Sequence, residues 1–198
     1  MLKDKRQAIV NAAISRFIYY GISKTTMDDI AKDLALTKPS LYYYFTNKSH
    51  LVRAVFDYVF DEYLYLLEKV NLDQSLEQIL DDVIKMHRTL FKQYALLGCS
   101  KDHFLKPKDK ILHHKFIKVK LIYTNFLRNV FHAASRKMEV RSENIDKAVH
   151  LYFNCMQGMF MNYFVDKQTI IHVHHRHHLL VYKNAREFSS VFIKGLRF

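Results

Sequence analysis

The chain has 198 residues, 49% of them apolar, with only four glycines and two prolines. The apolar share is enough for a packed core, and the shortage of turn-forming residues excludes sandwiches and barrels, so an all-α fold is expected. The formal charge of +12 points to a polyanionic partner or an acidic surface and is silent on fold.

The first predicted helix covers residues 3–20, where Ile9, Ala13 and Phe17 recur every four residues and Ile14 and Ile18 widen the stripe. Gly21 follows, at the place where a left-handed helix cap favours glycine. Thr26 is an N-cap with Asp29 at the capping-box position, and Asp28 and Asp29 complement the helix dipole. Met27, Ile30, Ala31 and Leu34 then form one apolar face. Ala35 and Leu36 make a turn. Thr37 caps a third helix with Pro39 in its first turn, where a missing N–H does no harm. Leu41 and Phe45 face inward, which leaves Lys38, Pro39, Ser40, Tyr42 and Tyr43 facing outward, while Tyr44 reads as a packing residue. Asn47 caps a fourth helix that continues to about residue 70. Beyond it, Asp73 or Ser75 starts a helix to about residue 97, residues 98–107 are a break, and residues 108–136 are helical. Ser142 caps a helix to about residue 165, with Glu143 and Asp146 in its first turns. Residues 167–178 read as a His-rich connection and residues 179–196 as a last helix.

Two helices around a tight turn, the second carrying a lysine, small polar residues and tyrosines, form a reading head for duplex DNA. Such a unit lays its second helix in the major groove with N-terminal residues at base edges. Lys38 suits guanine O6/N7 or a phosphate, Pro39 a thymine methyl, and Ser40 a base edge or a phosphate. Tyr42 and Tyr43 suit the sugar–phosphate backbone, Lys48 and the amides opening the fourth helix suit a phosphate, and Thr26 suits another. Thr37 completes the set of candidate DNA-binding residues.

Residues 5–50 resemble the DNA-binding domain of TetR-family transcriptional repressors. The resemblance runs through Arg6, Ile9, Ala12, Ala13, Phe17, Gly21, Thr26, Ile30, Ala31, Leu41, Tyr42, Tyr44, Phe45, Asn47, Lys48 and Leu51. Residues 187–196, EFSSVFIKGL, resemble the family's last helix. The turn Leu34-Ala35-Leu36 departs from the glycine or valine usual there. The resemblance implies a helix-turn-helix domain over residues 1–48, with the fourth helix linking it to a ligand-binding and dimerisation domain over residues 49–198. It implies a homodimer through the last two long helices, a double-stranded palindromic operator, and release by a small apolar or amphipathic effector of unknown identity. Met86, Tyr94, Tyr123, Phe126, Met156 and Phe160 are the candidate cavity residues, with Asn125, Asn154 and Gln157 as orienting groups.

A helical ligand-binding or interaction protein without specific operator recognition is the alternative. Another is a metal-responsive regulator using His172, His174, His175, His177 and His178, whose spacing suits a shared ion; the plainer reading of that cluster is a polar loop, and no metal site or cofactor is assigned. Residues 101–141 hold eleven Lys/Arg against three Asp/Glu, either a solvated basic face or an attraction for DNA backbone or an anionic ligand. Cys99 and Cys155 lack CxxC spacing and read as buried thiols in a reducing compartment. No signal-peptide pattern and no apolar run of about 18 residues occurs, so a soluble cytoplasmic protein with no membrane partner is expected. No nucleophile elbow, phosphate loop, HExxH or paired-carboxylate spacing suggests an enzyme.

Overall fold

A computed structural model of the chain describes residues 2–98, 109–141, 143–165 and 175–197, and every regular element among them is a helix. They are α1 (Leu2–Tyr20), α2 (Met27–Asp33), α3 (Lys38–Tyr44), α4 (Lys48–Glu68), α5 (Leu76–Gly98), α6 (Lys110–Arg136), α7 (Ile145–Val165) and α8 (His175–Leu196). Packing gathers them into two units, one of residues 1–64 and 91–115, the other of residues 65–90 and 116–198.

In the first unit, the α1 stripe of Ile9, Ala13 and Phe17 is wholly buried together with Ile30, Leu41 and Leu51. The helix ends follow the expected chemistry. Gly21 has φ +82 and its N–H reaches the Phe17 carbonyl at 3.0 Å. Thr26 and Asp29 form a complete capping box. Thr37 accepts from the Ser40 N–H, and Asn47 from the His50 N–H at 2.9 Å. Ala35 takes φ 51 in the turn; a left-handed alanine is how the departure from glycine at this turn is absorbed, at about 1 kcal/mol. Ion pairs close the rest of the unit: Arg53 to Asp109 at 2.6 Å, and Lys115 to Asp57.

In the second unit, Leu76, Leu80, Val83, Ile84, Leu127, Phe131, Val149 and Tyr152 are buried. Phe131, Tyr152, Phe188 and Phe192 join α6, α7 and α8 through ring contacts of 5.5–6.4 Å between centroids. The Tyr152 hydroxyl lies 3.2 Å from the Ser189 hydroxyl inside this stack. Ser75 and Gln78 form a capping box for α5, and the carboxylate of Glu139 accepts the Leu76 N–H at 2.7 Å.

Two boundaries differ from expectation. α7 opens at Ile145, after Asn144 in a left-handed conformation with φ 58. Glu143 therefore precedes the helix, and Ser142 lies outside the described residues. α8 opens at His175, four residues before Leu179. Histidine is a middling helix former, and no glycine or proline stands between His175 and Leu179 to stop a helix. His175, His177 and His178 thus belong to the last helix and not to a loop, while His172 and His174 lie outside the described residues. Among the described residues, no helix is long and apolar enough to cross a membrane, and no group of three or more His, Cys, Asp or Glu is placed to hold a metal.

Candidate nucleic-acid interface

α2 and α3 are each only seven residues long, below the length at which an isolated helix is stable in water. Tertiary restraints therefore hold them. The Arg16 guanidinium of α1 grips the last residue of α2 with two bonds to Asp33, one of them 2.8 Å long, and reaches Asp29 at 3.8 Å. These contacts hold the Asp33 carboxyl below its usual range. Asp29 is lowered too, first by the Thr26 hydroxyl and then by the Thr26 N–H. In the turn, the Leu36 N–H bonds to the Ala31 carbonyl at 2.9 Å. The Arg6 guanidinium lies over the Phe45 ring at 4.8 Å.

α3 buries Leu41 completely, and Phe45, its C-cap, is 2% exposed. With these two anchored, the other side of the helix is open. Thr37, Lys38 and Pro39 are exposed, Ser40 is half-buried, and Tyr43 retains 74% exposure against 37% for Tyr42. Tyr44 is half-buried and meets the Tyr43 ring edge-on. Thr26 is exposed but committed to its capping box. The candidate DNA-binding residues thus fall on one unit, with five of them consecutive or nearly so along α3.

Two lysines carry engagements that spacing does not reveal. Lys38 Nζ donates to Asp28 Oδ2 at 2.9 Å, and this bond holds the ammonium above its usual range. Lys48 Nζ donates to the Ser23 carbonyl at 3.3 Å, and burial lowers its pKa. That bond ties the start of α4 to the segment before α2. The sequence marks Asp28 only as a complement to the helix dipole, and it reveals neither the Asp28–Lys38 nor the Arg16–Asp33 pairing. The only signal was opposite charge, at separations too large for any helix-periodic rule.

The candidate effector residues are divided. Tyr123, Phe126 and Phe160 belong to the second unit, where Tyr123 and Phe160 flank His87. The His87 ring meets Tyr123 at 5.2 Å and Phe160 at 5.8 Å, both edge-on, and Tyr123 stacks on Phe126. Met86 and Met156 are buried in the same unit, whereas Tyr94 belongs to the first, where its hydroxyl donates to Glu62. Asn125, Asn154 and Gln157 are exposed. His87 as a residue is only half-buried, but its Nδ1 is buried, and burial pushes the imidazole down to about 4. A groove of about 600 Å³ on the second unit is lined by other residues, among them Glu77, Asp81, Arg88, Tyr182, Lys183 and Arg186. Parts of the basic 101–141 block have structural employment: Arg128 pairs with Asp146 at 2.7 Å, and Lys120 sits over the Phe153 ring.

Comparison with known proteins agrees with this geometry. The sequence pattern described as bacterial regulatory proteins, tetR family, matches residues 9–55. The biofilm operon icaADBC HTH-type negative transcriptional regulator IcaR of Staphylococcus epidermidis is 30% identical over 129 residues, 59% of this chain and 68% of IcaR. The HTH-type transcriptional regulator TtgR of Pseudomonas putida is 27% identical over 113 residues, 57% of this chain. The chain spans about half of TtgR, 51% of its length. In fold, it is similar to a transcriptional regulator from Cytophaga hutchinsonii, with a TM-score of 0.84 at 23% identity over 98% of this chain and 99% of that one.

Proposed function

Because the chain belongs to the TetR family of bacterial transcriptional regulators, we propose that it is a ligand-responsive repressor that binds a palindromic operator as a homodimer. Residues 1–48 are the reading head and residues 49–198 the effector-binding and dimerisation part. The observation that carries the reading is the two-sided α3: Leu41 and Phe45 buried, Lys38, Pro39, Tyr42 and Tyr43 exposed, and Ser40 half-buried between them. Repression is favoured by the likeness to IcaR, a negative regulator.

The dimer is supported by exposed apolar side chains on the last two helices, Leu151 on α7 and Leu179, Leu180 and Val191 on α8. A second copy related by a twofold axis covers such a patch and places two heads on successive major grooves. The effector is small and apolar or amphipathic, since Tyr123, Phe126, Met156 and Phe160 offer large adaptable surfaces with few polar groups. It acts by binding one of two dimer states more tightly than the other.

The test is fluorescence anisotropy with DNA from the gene's own upstream region against scrambled DNA of equal length. Tighter binding to the former by about a hundredfold or more supports operator recognition. Equal affinities that collapse together with salt would leave only backbone attraction and refute the proposal.

A further inference from the structure

The structure places an acidic residue on the amine of the lysine best positioned to read bases. Asp28 is in the first turn of α2, Lys38 is the first residue of α3, and their side chains meet at 2.9 Å with about half of each exposed: 50% for Asp28 and 60% for Lys38. The partners come from the two helices of the reading head, so the bond spans the turn. Both helices are fixed by other means: α2 by the Thr26–Asp29 box and the Arg16 grip on Asp33, α3 by the Thr37 cap and the buried Leu41. The pair is therefore not needed to hold the turn closed. Its effect falls on where the Lys38 amine points and on the net charge presented there.

We propose that Asp28 is a positioning residue for operator selectivity: it fixes the Lys38 amine toward base edges and denies it to passing phosphates. An ammonium has three donors. Asp28 occupies one, which leaves two for a guanine O6/N7 edge without breaking the pair. A phosphate on arbitrary DNA meets a nearly neutral pair and gains little from it. Selectivity rises because the non-specific competitor is weakened, a repulsive element set against the wrong partner. The inference rests on the reading of α3 as the base-reading helix.

The experiment uses the full-length protein, a random 30-base-pair pool, and a 30-base-pair duplex enriched from that pool by the wild-type protein. Affinities are measured between 50 and 200 mM salt. Asp28→Asn is expected to strengthen binding to the random pool about two- to fivefold, the value of one exposed ion pair. It is expected to steepen the dependence of log K on log salt for the pool by about 0.9 per phosphate newly neutralised. The ratio of enriched to random affinity falls by a similar factor. Asp28→Glu, which retains the carboxylate, restores slope and ratio. In a Lys38→Ala background Asp28→Asn changes the slope by less than half as much, because the effect passes through Lys38. An unchanged slope and ratio in Asp28→Asn, or an equal change with Lys38 absent, overturns the inference while leaving operator binding intact. A wild-type protein that enriches no duplex overturns the reading of α3 and this inference with it.

Discussion

Burial of His87 makes the stability of the second unit depend on pH. Its imidazole is held at about 4 by burial, against 6.5 for the free group. As pH falls through 6.5 the unfolded chain takes up a proton that the folded chain refuses until about pH 4. The stabilisation is therefore complete above pH 6.5 and is lost progressively on acidification. At pH 5 the linkage amounts to about 2 kcal/mol relative to pH 7.5. For a urea slope of about 2 kcal/mol/M, that is a fall of about 1 M in the unfolding midpoint. The lowered carboxylates Asp29, Asp33, Asp82, Asp109 and Asp146 do not mimic this, because their stabilisation is present above the ordinary carboxylate value and is lost only as pH falls through that value toward the lowered one, below this window. His87→Phe keeps a ring that can meet Tyr123 and Phe160 edge-on, and should remove most of the difference between pH 7.5 and 5. The assay is urea unfolding followed by circular dichroism at both pH values, with the remaining histidines common to both proteins. If wild type and His87→Phe lose the same midpoint on acidification, the buried imidazole is not the cause.

Further outcomes are open to direct measurement. Ala35→Gly should stabilise the protein by up to about 1 kcal/mol, since φ 51 strains alanine and suits glycine; a lower melting temperature would contradict that account. Leu41→Ala should cost about 2–5 kcal/mol, because the side chain is 0% exposed, and should abolish DNA binding by unfolding α3, visible as lost amide protection over residues 38–44. Leu180→Glu with Val191→Glu should convert the proposed dimer to monomers in sedimentation, since both side chains are exposed on α8 and burying charge there is costly; an unchanged mass would move the dimer surface elsewhere.

What the sequence made legible was local. Thr26 with Asp29, Thr37 with Pro39, and Gly21 each announce a helix end through chemistry completed within four residues, and each end lies where that chemistry puts it. The buried faces of α1 to α3 follow from 3.6-residue periodicity for the same reason. The less legible features depend on distant partners. Asp28 and Lys38 are ten residues apart, Arg16 and Asp33 seventeen, and Arg53 and Asp109 fifty-six, and charge alone does not choose among so many possible pairs. The start of α8 was misread because a run of histidines resembles a loop by composition, although nothing in it forbids a helix. Glu143 reads as a first-turn residue by type, but α7 starts at Ile145, after the left-handed Asn144.

The short α2 has a consequence for how the head opens. It is tied to α1 through Arg16, to its own N-cap through Asp29, and to the turn through Leu36. A seven-residue helix anchored at both ends has no free end from which to fray. Its amides can then exchange with solvent only when the whole reading head comes apart. Hydrogen exchange over residues 30–33 should accordingly report the same opening free energy as the centre of α1, making this small helix a gauge of the cooperativity of the entire DNA-binding unit.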